Sequence, residues 1–341
     1  MRRITLLFTL LALAAGLTAC GDDDDGAAVS GDAAGETTAE TSTEAEETTE
    51  EATGPITITD GTGTEVTLEE PATTVVALEW SLAEDLLLVD VEPAGVADAA
   101  NYGDWIAEPA LPEGVEDVGT RQEPSIERIQ ALQPDLILGV DFRHAAVREQ
   151  LEAIAPTYFI SPYGEDAGSQ LADMRQTFAD IGTLTGNEDM ATDVLDDLDA
   201  HLADAAAELE EAGLAGQEIA IAQGFTTDGT PTVRMFSPNA LVVELLAEIG
   251  LPNGWPGGDT EYGFDTVDVE GLTQLGDVEL FTIAQEEDDI FATAFAGNPI
   301  WEGLPTVQRG AVHPLGGNTW TFGGPASAET FVDRVVDALV S

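Results

Sequence analysis

Glu123-Pro124-Ser125-Ile126-Glu127-Arg128-Ile129-Gln130-Ala131-Leu132-Gln133-Pro134-Asp135-Leu136-Ile137-Leu138-Gly139 sets a helix directly against a buried strand. Ile126, Ile129 and Leu132 recur at helical spacing, and Pro134 halts the helix because the residue before a proline is pushed out of the α region. Asp135 to Gly139 then reads as a buried strand. Its apolar residues are unbroken rather than alternating, which suits a strand covered on both faces by helices. A helix that stops at a proline and feeds such a strand is the repeating unit of an α/β protein.

The same unit recurs on either side. Thr73 to Leu78 is a β-branched run followed by a helical stretch, Leu82 to Leu88. Pro93 to Ala97 is a short strand, Val147 to Ile154 a helix and Thr157 to Ile160 a strand. Upstream, Ile56–Thr59 and Glu65–Leu68 flank Asp60-Gly61-Thr62-Gly63 as a β-hairpin. Residues 55–165 are thus expected to form one βα lobe. Residues 166–186 are expected as a connecting helix, with Leu171, Met174, Phe178 and Ile181 on one stripe; Thr185-Gly186-Asn187 breaks it. A second stripe, Met190, Val194, Leu198 and Leu202, opens a second lobe over 187–341. Its strands are Glu218–Ala222 and Val278–Ile283, its helices Leu241–Ile249 and Ala326–Val340. The expected fold is α/β: two βα lobes joined by a single long helix, with a ligand cleft between them. One continuous helix should make a stiffer joint than paired strands.

Composition sets limits on the partners. Asp and Glu number 66 against 10 Lys and Arg, a formal charge of −56, and every cation is Arg. Such a field repels nucleic acid. The acids are spread along the whole chain, so they describe the surface rather than one site.

Arg2 and Arg3 precede an apolar run, Ile4 to Gly16, too short to span a bilayer and suited to an export signal over residues 1–19. It ends in Leu17-Thr18-Ala19-Cys20, which resembles the lipobox of bacterial lipoproteins; Cys20, the sole cysteine, would carry the lipid. Residues 20–54 hold Val29 as their only bulky apolar side chain and read as an acidic, solvated tether. The expected location is the outer face of the cell membrane, held there by the N-terminal lipid.

Motifs for catalysis are missing from the sequence. It holds no Gly-x-Ser-x-Gly elbow, phosphate loop or dinucleotide fingerprint. Three scattered histidines, His144, His201 and His313, do not make a set of metal ligands. His144 follows a strand end where α/β folds place ligands, whereas His201 and His313 read as surface and structural residues. The informative residues are arginines and aromatics in loops: Trp80, Tyr102, Trp105, Arg121, Phe142, Arg143, Trp255, Tyr262, Trp301 and Trp320. Aromatic walls with a few guanidinium groups suit a bulky ligand with electron-rich oxygens, because Arg donates in a fixed fork and keeps its charge when buried.

Several segments resemble the ferric hydroxamate-binding proteins of ABC importers. They are Val75–Trp80, Gly95–Asp98, Asn101–Trp105, Asp117–Pro124, Phe236–Asn239, Gly250–Trp255 and Trp320–Ala328, in consistent order over about residues 72 to 340. Glu123 to Leu138 is shared more widely, by binders of siderophores, haem and cobalamin. The resemblance implies that Arg121 donates to hydroxamate oxygens around ferric iron, while Trp105, Trp255 and Trp320 pack the siderophore, with Trp80, Tyr102 and Phe322 nearby. After the fourth strand, Phe142, Arg143 and His144 are all candidates for ligand contact. Glu127 and Glu270, one on each lobe, would meet arginines of the permease. The chain would need no metal or cofactor of its own, since iron arrives inside the siderophore, and would act as a monomer with a permease and its ATPase. Ferric citrate, catecholate, haem and cobalamin are the other ligand classes. A lipid-anchored hydrolase or ferric-siderophore reductase is the reading from another class.

Overall fold

A computed structural model describes residues 54–164 and 168–341; the export signal, Cys20 and all but Gly54 of the tether lie outside the described residues. A two-stranded hairpin, β1 (Ile56–Thr59) with β2 (Glu65–Leu68), opens the folded part. The first lobe is a parallel sheet of β3 (Val75–Ala77), β4 (Gly95–Val96), β5 (Glu116–Asp117), β6 (Leu136–Val140) and β7 (Thr157–Ile160), in the order β5-β4-β3-β6-β7. All five residues of β6 are buried, as its unbroken apolar run requires. Ser125 caps the Ile126–Leu132 helix by accepting from the Arg128 amide, and Gln133 closes it in a left-handed conformation before Pro134.

The second lobe carries β8 (Ile219–Thr227), β9 (Thr230–Phe236), β10 (Phe264–Val267), β11 (Glu279–Ile283) and β12 (Val312–Pro314), ordered β10-β9-β8-β11-β12. β8, β11 and β12 pair in parallel, whereas β9 runs opposite to the rest and pairs antiparallel with both β8 and β10. This half departs from the sequence expectation. β8 continues past Ala222 into a hairpin with β9, and neither β9 nor β10 was expected. The Arg148–Glu152 helix is also shorter than the expected Val147–Ile154.

Between the lobes runs the Gln170–Thr185 helix, capped by Ser169 and ended by Gly186 at φ 71°, a left-handed value that glycine adopts without strain. Its first turn is fastened to the second lobe. The Gln170 side chain accepts from the Leu241 amide at 3.0 Å, and Glu244 accepts from the Leu171 amide at 2.8 Å and the Ser169 hydroxyl at 3.0 Å. The Glu188–Glu211 helix packs back along it, and the closing helix, Pro325–Val340, covers both the second lobe and the Trp80–Leu88 helix of the first. Each sheet has apolar layers on its two faces.

Candidate functional site

The first lobe delivers three charged groups to one point. Glu79 follows β3, Arg121 lies in the loop after β5, and Arg143 sits in the short Asp141–His144 helix after β6. Ligands of open α/β sheets gather at these carboxyl ends. Arg121 Nη1 donates to Glu79 Oε1 at 2.6 Å; Arg143 Nε stands 3.2 Å from Glu79 Oε2 without the alignment of a hydrogen bond. One buried carboxylate therefore serves two guanidinium groups, and Asp98, 3.9 Å from Arg121 Nε, adds only a distant partner.

Aromatic rings hold this cluster in place. The Arg121 guanidinium lies 3.6 Å over the Trp80 ring and 5.6 Å from that of Trp320. Trp80 is buried, with its indole N–H donating to the Asp98 carbonyl, and Trp105 completes a three-tryptophan group with Trp80 and Trp320. From below, His144 Nδ1 accepts from the Val140 amide at 3.0 Å while Nε2 donates to the Arg121 carbonyl at 2.8 Å. Burial lowers the pKa of this imidazole, so it remains neutral and fixes the Arg121 loop.

Facing them is a wall from the second lobe. Arg234 on β9 lies opposite Gln223 of β8 and Thr266 of β10. Its Nη1 donates to Gln223 Oε1 at 3.0 Å, and its guanidinium is 4.6 Å from the Phe264 ring. Phe142 of the first lobe, Tyr163 before the connecting helix and Tyr262 of the second lobe meet edge to face, with centroids 5.1 to 6.4 Å apart. Between the walls is a cavity of about 820 Å³ lined from both lobes, including Glu79, Arg121, Arg143, Arg234, Tyr163 and Trp320.

Asp85 lines the cavity and Glu84, the residue before it, is fully buried; neither has a cation within 4.0 Å among the described residues. Glu84 accepts from the Ser327 amide at 2.7 Å and its hydroxyl at 2.6 Å, at the N-terminus of the closing helix. Burial raises Glu84 to about 7 despite those hydrogen bonds, and raises Asp85 well above the carboxylate range with Glu84 adding to the effect. Asp85 Oδ1, Arg121 Nε, Arg143 Nε and Trp320 Nε1 are buried without hydrogen-bond partners. Buried polar atoms are normally paired, so a group of orphans around one cavity marks it as a place for a polar guest.

Of the residues named from sequence, Arg121, Arg143, Phe142, Tyr262, Trp320 and Phe322 line the cavity. Trp80, Tyr102, Trp105 and Trp255 do not. Trp80 and Trp105 stand behind Arg121 and Trp320 as supports. Tyr102 is buried and donates to the Pro109 carbonyl at 3.0 Å. Trp255 packs with Val233, Met235 and Leu280 on the face of the second sheet away from Arg234, its indole N–H donating to Asp265 at 2.7 Å. Its expected place against a ligand is corrected, because satisfying the indole on Asp265 turns the ring into the core. Glu127 and Glu270 are exposed on their respective lobes. Glu79 and Tyr163 were missed. Glu79 stands at a strand's carboxyl end, the position that singled out His144, and Tyr163 follows Ser161-Pro162 in a loop much as the chosen tryptophans do. Among the described residues no group of three or more His, Cys, Asp and Glu could hold a metal ion.

Comparisons with known proteins agree with this geometry. A family model described as periplasmic binding protein matches residues 75–318. The iron(3+)-hydroxamate-binding protein FhuD of Escherichia coli K12 is 30% identical over 273 residues, 77% of this chain and 85% of that protein. The Fe(3+) dicitrate-binding periplasmic protein FecB of the same strain is 30% identical over 270 residues, covering 77% and 83%. The crystal structure of Vibrio cholerae FhuD with Fe3+-Desferal superposes with a TM-score of 0.71 at 24% identity, over 79% of this chain and 98% of that one.

Proposed function

The chain belongs to the periplasmic binding protein family, and from that premise we propose that it captures a ferric siderophore outside the cytoplasmic membrane and delivers it to an ABC importer for iron uptake. It is a binding protein, and the hydrolase or reductase reading is set aside with the family.

One observation carries the ligand class. Glu79, Arg121 and Arg143 form a buried cluster with orphaned donors at the edge of a cavity that lacks a metal-binding group of its own among the described residues. Guanidinium N–H groups suit the anionic oxygens that wrap a ferric ion, and the aromatic walls suit the carbon framework outside them. Hydroxamate complexes come first on the resemblance from Asn101 to Arg121 and on the similarity to FhuD. Ferric citrate is the second reading, supported by the similarity to FecB. Cys20 would anchor the protein through lipid, and Glu127 and Glu270 would dock the permease.

Titrating the folded domain with ferric hydroxamate, citrate and catecholate complexes, haem and cobalamin tests the reading. Trp320 lines the cavity, so tryptophan emission should fall at micromolar ligand or below. Silence across the whole panel would sink it.

A further inference from the structure

Arginines in this chain are scarce and acids abundant, so a guanidinium without a carboxylate is conspicuous. Among the eight arginines of the described residues, six have a carboxylate oxygen within 4.0 Å. Arg334 has none, but its Nη1 serves the Leu315 carbonyl and the Thr319 hydroxyl. Arg234 has none either, and its only side-chain hydrogen bond is Nη1 to Gln223. The Phe225 and Phe264 rings lie 4.9 and 4.6 Å from its guanidinium.

That position is costly. Arg234 is half buried in the middle strand of an antiparallel trio, on a face shared with the apolar Phe236. Burial lowers its pKa, and Arg143 and Arg121 lower it further, so three like charges converge on one cavity. The acids lining that cavity do not neutralise it. Glu79 serves Arg121 and Arg143, Asp60 serves Arg148, and Asp180 accepts from Tyr158 and Gln176. Burial pushes Asp85 and Asp173 toward the neutral form. A buried cation is retained where something else supplies its counter-charge.

Resting on the siderophore reading above, we infer that the chelate carries a carboxylate beyond the groups needed to neutralise the iron, and that this carboxylate seats on Arg234. The remaining guanidinium donors face the open cavity, and a fork of parallel N–H groups fits a carboxylate. The iron-binding groups themselves, hydroxamate or hydroxycarboxylate, would then face Arg121 and Arg143 across the cleft. This makes the ligand anionic overall, and Arg234 the residue that selects for its charge.

A matched set of chelates tests it: the ferric complexes of N-acetyl and N-succinyl desferrioxamine, which share one iron centre and differ by a terminal carboxylate, together with ferric dicitrate. Affinities are measured for the wild type, Arg234→Gln and Arg234→Lys, each checked for an unchanged melting transition. A carboxylate-bearing complex should bind at least tenfold more tightly than the acetyl complex. Arg234→Gln should erase that advantage, bringing the succinyl and acetyl complexes within about threefold of each other, and Arg234→Lys should keep most of it. The inference is overturned if the acetyl complex matches or exceeds both carboxylate-bearing ones, or if their advantage survives in Arg234→Gln. Failure of every ferric chelate to bind would instead remove the siderophore reading on which it rests.

Discussion

Arg121 lies 3.6 Å above the Trp80 ring while the same guanidinium donates to Glu79 at 2.6 Å, so this arginine is held on two sides before any ligand arrives. A cation set between an indole face and a carboxylate has lost most of its rotamer freedom in advance. A ligand that meets it therefore spends little on ordering the side chain.

Arg121→Ala should weaken binding of the cognate ferric complex by about 1.5–3 kcal/mol, the scale of a hydrogen bond to a charged group. Arg143 remains beside Glu79, so the fold should persist. Isothermal titration with a parallel melting curve measures both. Unchanged affinity would take Arg121 out of the site.

Trp255 and Trp320 should behave oppositely. Trp320→Ala removes part of the cavity wall and should cost at least fivefold in affinity. Trp255→Phe should leave affinity within about twofold, yet destabilise the protein by about 1–3 kcal/mol, because it strands Asp265 inside the second lobe. Chemical denaturation and ligand titration of both variants separate the two effects. A large affinity loss in Trp255→Phe would restore that residue to the site.

Stability should depend on pH through Glu84. Its native pKa, about 7, lies above its ordinary value of 4.5, so the folded state holds its proton longer than the unfolded one. Stabilisation from this group is complete below about pH 4.5 and is lost as pH climbs toward 7, by roughly 3 kcal/mol in all. Repulsion among the surface acids acts in the same direction, so the test is a difference. The melting temperature of Glu84→Gln should fall less steeply between pH 5 and 7.5 than that of the wild type. Parallel curves for the two proteins would refute it.

Cys20→Ser should move the protein from the membrane fraction to the soluble extracytoplasmic fraction in a fractionated host. Retention on the membrane would count against a lipid anchor.

The first lobe was legible because its signals are local. Pro134 and the unbroken run to Gly139 place a helix end and a strand without reference to the rest of the chain. β9 was illegible for the opposite reason: Pro231 and Arg234 interrupt an apolar pattern that only pairing with β8 and β10 makes sensible. The site divides in the same way. Arg121 and Arg143 announce themselves by rarity, since cations are few. Glu79 was hidden in a chain rich in acids, and only its approach to two arginines marks it out. Trp255 misled because a loop of Gly, Asn and Pro does not reveal which side of a sheet its indole will face. That choice was made by Asp265, a partner ten residues further along the chain.

The connecting helix is bolted at its first turn to Leu241 and Glu244, and the closing helix grips Glu84 of the opposite lobe through Ser327. The two halves thus have little slack between them. In such a clamp, thermal fluctuation alone seldom opens an exit wide enough for a bulky guest, and dwell time lengthens accordingly. On the proposed role, letting go would take work from the importer it docks with, and iron delivery would follow that pull.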